Sequence, residues 1–226
     1  MTRLAVVATP LGNLEDFTFR ALKTLEQAEI ILCEDTRVTN KLLQHYAIKG
    51  KKLVSLHQHS TIKEFGQVKV WLEQNKRLAL VTDAGTPGVA DPGNQLIQWL
   101  VAETKNSDIA EPIPGPSALA AALSVCGFVT DEFLFLGFLP HKKGRQTQLA
   151  EIAKTNRTIV LFESVHRLVK LLGELVVVIP SRQLVVMKEL TKQFETMWRG
   201  TAGELLKQIP AGKIKGEFVV VIDKAK

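Results

Sequence analysis

Acidic and basic side chains follow predicted apolar strands at three places, where they could carry out acid–base chemistry. The segments are Glu34-Asp35-Thr36-Arg37, Glu163-Ser164-Val165-His166-Arg167 and Lys188-Glu189-Leu190-Thr191-Lys192. A carboxylate can take the proton of a hydroxyl group, while a neighbouring cation orients a sugar or a phosphate. The catalytic candidates are Glu34, Asp35, Arg37, Glu189 and Lys192. For the first segment, a helix cap with a local ion pair is an equal alternative.

Three turns rich in glycine and proline also follow predicted strands. They cover residues 9–13, 83–88 and 114–118. Proline stiffens the backbone and glycine lets it approach a ligand closely, and the last turn leads into a helix whose first N–H groups are free. Ligands of open α/β sheets bind beyond the carboxyl ends of the strands. Each turn alone could be a simple connection, but together they predict a cofactor cleft.

The sequence argues against several other kinds of site. Neither the G-x-G-x-x-G fingerprint of dinucleotide-binding folds nor a P-loop occurs. His57 and His59 lack a nearby Cys or Glu that would complete a metal site, so no metal is predicted. Cys33 and Cys126 offer neither a disulfide framework nor zinc spacing, which favours the reducing cytoplasm. No apolar run approaches the roughly twenty residues of a membrane span, and no signal peptide is expected.

The chain has an uneven excess of positive charge. Its 29 Lys and Arg residues exceed its 23 Asp and Glu residues, which gives a formal net charge of +6. Two segments are enriched: residues 41–63 contain lysines but no acid, and residues 141–145 read His-Lys-Lys-Gly-Arg. The lysines of the first segment are Lys41, Lys49, Lys51, Lys52 and Lys63. These segments are either solvated loops or a contact surface for a phosphate backbone, and charge alone does not choose.

The spacing of apolar runs predicts an α/β protein of two domains. Strands over residues 4–8, 30–33, 53–56, 78–82 and 109–113 alternate with helices, which is typical of a mostly parallel sheet covered on both faces. Helix caps are predicted at Thr36, at Asp91 with Pro92 in the first turn, and at Ser117. Prolines within residues 112–116 predict a boundary between an N-terminal domain, 1–113, and a C-terminal α/β domain, 114–226, with a mixed sheet.

A set of motifs in fixed order connects the chain to one family. The motifs occupy residues 7–21, 33–37, 83–87 with 91–93, 114–118, 135–140, 162–163 with 167, and 188–192. Together they resemble the bacterial ribosomal RNA small-subunit methyltransferase I family of the tetrapyrrole methylase superfamily, from residue 4 to about residue 222. The resemblance implies two α/β domains of tetrapyrrole methylase type with S-adenosylmethionine bound between them. It also implies a homodimer and 2′-O-methylation of a cytidine ribose in small-subunit (16S) ribosomal RNA.

The resemblance further implies roles for individual residues. The expected contacts to S-adenosylmethionine are Pro10, Leu11, Asp83, Gly85, Thr86, Val89, Ser117, Ala118, Phe162 and Lys188. The basic residues of segment 141–145, Lys142, Lys143 and Arg145, are expected from their charge, not from the resemblance, to contact the RNA backbone. Lys188 stands where the family more often has arginine. Lysine keeps the positive charge but lacks the planar, forked set of donors of a guanidinium group. Family members often continue into a further C-terminal helical segment, so the strength of RNA binding stays open.

Three other functions fit parts of the sequence. A related methyltransferase acting on a tetrapyrrole or another small molecule would share the cofactor turns, but it would not need the lysines of residues 41–63. A non-enzymatic RNA-binding module would leave those turns without a role. The absence of the glycines of a G-x-G-x-x-G fingerprint argues against a dinucleotide oxidoreductase.

Overall fold

A computed structural model of the protein describes residues 2–57, 59–209 and 216–225. The chain divides into two compact units, one ending at Ser117 and the other beginning at Ala118. This division lies slightly later than the predicted boundary between residues 113 and 114. The reason is local packing, because a Cβ atom at Gly115 would lie 3.1 Å from Ala8 Cβ and the Pro116 carbonyl accepts a hydrogen bond from Thr86. The proline segment therefore packs with the first unit.

The first unit is a parallel five-stranded sheet with its helices. Its strands are β1 (Leu4–Val7), β2 (Ile30–Cys33), β3 (Lys52–Ser55), β4 (Leu78–Leu80) and β5 (Ala110–Ile113), and its helices are α1 (Phe19–Gln27), α2 (Thr36–His45), α3 (Ile62–Glu73) and α4 (Asn94–Thr104). The strand order is β3-β2-β4-β1-β5, and each neighbouring pair is parallel. The predicted fold class of this half is confirmed.

Both faces of this sheet are buried because its strand residues alternate between two cores. Leu4, Ile30 and Leu32 pack with residues of α3 and α4, whereas Ile31 and Cys33 pack with residues of α1 and α2. Since all five strands run in the same direction, their carboxyl ends meet at one edge of the sheet. The loops at that edge carry the polar segments described above.

The second unit contains a mixed sheet, as predicted. Its strands are β6 (Phe133–Phe138), β7 (Thr158–Ser164), β8 (Gln183–Lys188), β9 (Thr196–Thr201) and β10 (Glu217–Ile222), and its helices are α5 (Ala118–Cys126), α6 (Arg145–Lys154), α7 (Val165–Val178) and α8 (Ala202–Gln208). The strand order is β6-β7-β10-β8-β9. The β6–β7 pair is parallel and the other pairs are antiparallel.

A buried arginine joins separate segments of the second unit. Arg182, 8% exposed, donates hydrogen bonds of 2.7 to 3.2 Å to the carbonyl groups of Ile152, Thr155, Arg157 and Asp223. Burial lowers the pKa of its guanidinium. The arginine thereby satisfies backbone acceptors at the end of α6 and after β10, which would be costly to bury without partners.

Two predicted helix caps are wrong, that of α2 by one residue and that of α4, where Gly93 takes the place of Asp91, by two. The residue that caps α2 is Asp35, not Thr36, because the Asp35 carboxylate accepts a hydrogen bond from the Arg37 amide. Helix α4 begins at Asn94 instead of Asp91-Pro92, because the Pro92 carbonyl accepts a hydrogen bond from the Gly88 amide in a preceding turn. In the described part of the chain, no helix has both the length and the apolar character that a bilayer span requires.

Candidate active site

The three turns rich in glycine and proline meet in the first unit. The backbones of Thr9 and Gly85 exchange hydrogen bonds of 2.9 and 3.0 Å, and Thr9 Oγ1 donates to the Thr82 carbonyl at 3.1 Å. The third turn joins them through Thr86 Oγ1, which donates to the Pro116 carbonyl at 3.0 Å. The backbones of these turns therefore lie side by side beyond the carboxyl end of the sheet.

The contact between the first two turns requires glycine at position 85. Gly85 has a φ of +83°, which residues with a side chain rarely adopt. A Cβ atom there would lie 3.3 Å from Leu11 Cδ2. The absence of a side chain thus lets the second turn approach Leu11 of the first.

A cavity of about 380 Å³ lies beside these turns. Pro10, Leu11 and Asp83, three of the residues predicted to contact the cofactor, line it. The rest of the lining is Thr9, Gly12, Leu14, Val38, Thr39, Lys41, Leu42, Thr82 and Ala84. Its size and its apolar walls with a few polar groups are typical of small-molecule sites. The other predicted contacts on or near the second turn, Gly85, Thr86 and Val89, are not among the described residues that line the cavity.

Two further carboxylates adjoin Asp83. Asp83 Oδ1 accepts a hydrogen bond of 3.1 Å from the Asp35 amide, and the Glu34 carboxylate accepts one from the Asp83 amide. Burial raises the pKa of Glu34, and the negative charges of Asp83 and Asp35 raise it further. Burial also raises the pKa of Asp83. Glu34 therefore titrates closer to neutral pH than an ordinary glutamate, which suits a general base.

Asp35 differs from Glu34 because Arg37 holds it in the ionised form. Arg37 donates to both Asp35 oxygens, with Nε at 3.0 Å and Nη2 at 2.6 Å. These hydrogen bonds lower the pKa of Asp35 to about 2. A carboxylate with such a low pKa is a weak base, so Asp35 serves as the cap of α2 and as the partner of Arg37.

In the second unit, Glu189 and Lys192 form a hydrogen-bonded group with Glu217. Lys192 Nζ lies 3.0 Å from Glu189 Oε1 and 2.8 Å from Glu217 Oε2, and the Glu217 amide donates to Glu189 Oε1 at 2.9 Å. Burial alone would raise the pKa of Glu189, but these hydrogen bonds lower it overall. Glu189 and Thr191 have φ values of 51° and 67°, so the turn between them is strained. The Glu189 carboxylate is therefore already engaged in holding this turn.

The predicted cofactor contacts of the second unit lie on its sheet and its first helix. Phe162 of β7 packs edge-on against Phe135, with ring centroids 5.0 Å apart, and against Phe138 at 5.7 Å. Phe162 and Ala118, the first residue of α5, both pack against the same core cluster. Lys188 ends β8 and is half-buried. Ser117 is the last residue of the first unit.

The basic segment of residues 141–145 does not act as a single exposed patch. Lys142 and Lys143 are exposed. Arg145, in contrast, is 3% exposed, and its guanidinium makes a bidentate pair with Glu174 at 2.6 to 3.0 Å. The expected RNA contact of Arg145 is therefore corrected, because a buried and paired guanidinium is not available to a phosphate.

The lysines of residues 41–63 also divide into different roles. Lys51 Nζ donates to the carbonyl groups at the end of α1, at 2.5 Å from Glu26 and 3.0 Å from Ala28. Lys52 Nζ lies 4.7 Å from the centre of a Trp71 ring, a cation–π contact. Lys51 and Lys52 therefore stabilise the first unit, whereas Lys41 lines the cavity.

Comparison with known proteins identifies the family. The model of the tetrapyrrole (corrin/porphyrin) methylases matches residues 3–206. The ribosomal RNA small subunit methyltransferase I of Thermotoga maritima is 41% identical over 222 residues, and the match covers 98% of each chain. The chain belongs to the ribosomal RNA small subunit methyltransferase I family.

Solved structures agree with this methyltransferase family at the level of the fold. A cobalt precorrin-4 methyltransferase has a TM-score of 0.72 at 20% identity, covering 98% of this chain and 94% of that one. A uroporphyrin-III C-methyltransferase from Thermus thermophilus, solved with S-adenosylhomocysteine, has a TM-score of 0.64 at 17% identity, covering 98% and 97%. Both neighbours share the two-sheet architecture of this methyltransferase.

Sequence reasoning missed the part of α2 that lines the cavity of this methyltransferase. The helix α2 carries Val38, Lys41 and Leu42 at positions i, i+3 and i+4, so these residues lie on one face of it. That face was visible in the sequence as helical periodicity, and Lys41 was visible as part of a basic segment. Neither signal indicated that the face turns toward the loop after β1.

Proposed function

We propose that this methyltransferase moves a methyl group from S-adenosylmethionine to the ribose 2′-hydroxyl of a cytidine in small-subunit ribosomal RNA. The observation that carries the proposal is the cavity of about 380 Å³, which is lined by Asp83 and adjoined by Glu34. Family membership supports the reaction class, because the Thermotoga maritima relative is named for methylation of small-subunit ribosomal RNA.

The residues around the cavity fit S-adenosylmethionine. Pro10, Leu11 and Leu42 give it apolar walls for a nucleoside, and the Asp83 carboxylate can accept hydrogen bonds from hydroxyl or amino groups. Glu34, Asp35 and Asp83 concentrate negative charge there, which favours a ligand with positive charges on its sulfonium and amino groups. When bound, S-adenosylmethionine supplies an electrophilic methyl group, so the protein's main task is to position the ribose hydroxyl. Positioning of this kind can contribute roughly 7–11 kcal/mol.

Glu34 is the proposed general base for the ribose hydroxyl. Its raised pKa makes it a better proton acceptor than Asp35, whose pKa Arg37 lowers to about 2. Glu189 is a weaker candidate, since its Oε1 already accepts hydrogen bonds from Lys192 and Glu217. A correctly placed base contributes about two to four orders of magnitude in rate.

Cations next to these groups orient the RNA in this proposal. The Arg37 side chain is 86% exposed, so its guanidinium can contact a phosphate while Asp35 holds one of its edges. Lys142 and Lys143 provide further exposed charges. Lys192 is assigned to hold the strained turn through Glu189. The enzyme is proposed to act as a homodimer, as its resemblance to the family implies. Its two lone cysteines favour the cytoplasm, and the reactive methyl group of S-adenosylmethionine makes a metal unnecessary.

The test is methyl transfer from labelled S-adenosylmethionine to purified small ribosomal subunits, naked 16S RNA and a tetrapyrrole. Nuclease digestion and mass spectrometry should find 2′-O-methylcytidine in the RNA. Methylation of the tetrapyrrole alone would overturn the proposal. Glu34→Gln should lower the single-turnover rate by about 10²- to 10⁴-fold. The matched variant Asp35→Asn, which keeps a capping side chain, should retain most of the rate.

A further inference from the structure

The loop between β6 and α6, residues 139–144, is held by two arginines. Arg167 Nη2 donates to the Leu139 carbonyl, and Arg145 Nη1 donates to the Pro140 carbonyl at 3.1 Å. The Arg145 amide also donates to the Lys142 carbonyl at 3.2 Å. The loop backbone is thus held at three of its carbonyl groups.

Each arginine is paired with its own carboxylate. The Arg145 side chain, 4% exposed, pairs with Glu174, and the Arg167 side chain, 15% exposed, places Nε 3.2 Å from Oε1 of the fully buried Glu163. The two positive and two negative charges cancel. The arginines therefore fix the backbone of the loop without adding net charge to it.

The pair of Glu163 and Arg167 is costly for a purely structural role. Glu163 Oε2 is buried and has no hydrogen-bond partner among the described residues. Because the Glu163 side chain is fully buried, its pKa is raised above the ordinary value. A buried ion pair of this kind usually contributes less stability than packed apolar side chains would. Its evident effect is geometric: it fixes Arg167, and Arg167 fixes the Leu139 carbonyl.

The outer side of the same loop is basic. His141, Lys142 and Lys143 are consecutive and exposed. Across residues 2–57, 59–209 and 216–225, no carboxylate lies within ion-pair distance of Lys142 or Lys143. Arg167 Nη1 also lies 3.4 Å from His141 Nε2, so the arginine contacts the basic side of the loop as well. A loop held in place before binding loses less conformational entropy when it binds a ligand.

We propose that Arg145 and Arg167 are positioning residues that hold residues 139–144 as a preformed anion-binding loop for the phosphates of the RNA. Lys142 and Lys143 make the phosphate contacts, and the buried pairs with Glu174 and Glu163 keep the loop in place. This inference rests on the proposed function and deepens it. It assigns RNA affinity to a fixed loop in the second unit instead of to a diffuse positive charge.

A double-mutant cycle on RNA binding tests the proposal. The first variant, Lys142→Ala with Lys143→Ala, removes the charges. The second, Glu163→Gln with Arg167→Met, is called the anchor variant. It removes the Glu163–Arg167 pair that holds the Leu139 carbonyl, without leaving a buried carboxylate unpaired. The third combines all four substitutions, and Lys154→Ala with Lys170→Ala is a control that removes two exposed lysines elsewhere in the unit. Affinity for a small-subunit RNA fragment is measured from 50 to 300 mM salt, together with melting temperature and affinity for S-adenosylmethionine. KM for the RNA and kcat are measured by steady-state methyl transfer to the same fragment.

The lysine variant should weaken RNA binding about 10- to 30-fold near 150 mM salt and lower the salt slope by about 1.4 to 1.8, as expected for two phosphates. The anchor variant should raise KM for RNA severalfold and leave kcat at saturating RNA unchanged. In the combined variant, the anchor substitutions should add no further loss, because the loop then has no charges to position. The proposal would be overturned if the combined variant lost RNA affinity by the product of the losses in the lysine and anchor variants. It would also be overturned if the anchor variant had the wild-type KM for RNA. A wild-type protein that does not methylate the RNA at all would instead count against the proposed function.

Discussion

Substituting alanine for Gly85 tests whether the second turn must approach the first. The φ of +83° at this position disfavours any residue with a Cβ atom, at a cost of roughly 1–2 kcal/mol. The added Cβ atom would also lie 3.3 Å from Leu11 Cδ2, so Leu11 must move by a few tenths of an ångström. We expect Gly85→Ala to lower the free energy of unfolding by about 1–2 kcal/mol, a 5- to 30-fold change in the folded-to-unfolded ratio.

The displacement of Leu11 should also reach the cavity that Leu11 lines. Affinity for S-adenosylmethionine, measured by titration calorimetry, should fall by about five- to tenfold, equivalent to about 1 kcal/mol. Gly66→Ala is the matched control, because Gly66 lies within α3 and a Cβ atom there would meet nothing within 4 Å. The control should gain up to about 1 kcal/mol of stability and keep its affinity.

Two outcomes would refute this reasoning in different ways. If Gly85→Ala is as stable as the wild type in urea unfolding, the turn does not impose the strain described. If it is less stable but binds S-adenosylmethionine with unchanged affinity, Leu11 and the second turn do not belong to the cofactor site.

Further predictions concern the base, the buried arginine and the cavity lysine. Activity should fall as pH drops through the pKa of Glu34, because the protonated carboxyl cannot accept a proton. The midpoint of this acidic decrease in kcat/KM should lie above 4.5, the ordinary pKa of glutamate, and the decrease should disappear in Glu34→Gln. Arg182→Met should lower the free energy of unfolding by about 2–4 kcal/mol in urea titrations, whereas Arg157→Met, at an exposed pair, should change it by less than about 0.5 kcal/mol. Lys41→Ala should lower the affinity for S-adenosylmethionine measured by titration calorimetry, because the Lys41 side chain lines the cavity, and Lys63→Ala, away from the cavity, should leave that affinity unchanged.

The fold was predictable because its signals are local. Residues 30–33 form an uninterrupted apolar run, and the structure gives the same bounds for β2, Ile30–Cys33. Helix starts were less accurate, since several residues near the start of α2 could cap it. Asp35 takes that position because its carboxylate accepts hydrogen bonds from both the amide and the guanidinium of Arg37.

The site was predictable only in part, because its remaining features depend on contacts between distant residues. The cofactor assignments of Leu11 and Asp83 came from motifs, and both residues line the cavity. Arg145 could not be separated from its basic neighbours by sequence alone. Its partner Glu174 lies 29 residues away, on the next helix. The contrast between Glu34 and Asp35 likewise depends on which of the two carboxylates Arg37 contacts.

The position of β10 has a consequence for how the protein folds as it is synthesised. This strand follows the other four strands of the second sheet in the chain, yet it lies between β7 and β8. Before residue 222 leaves the ribosome, β7 and β8 have no shared neighbour, and their inner edges are open to other chains. The first unit, whose strands all precede residue 114, can fold during translation. We therefore expect premature termination before β10 to leave a folded first half attached to an aggregation-prone second half.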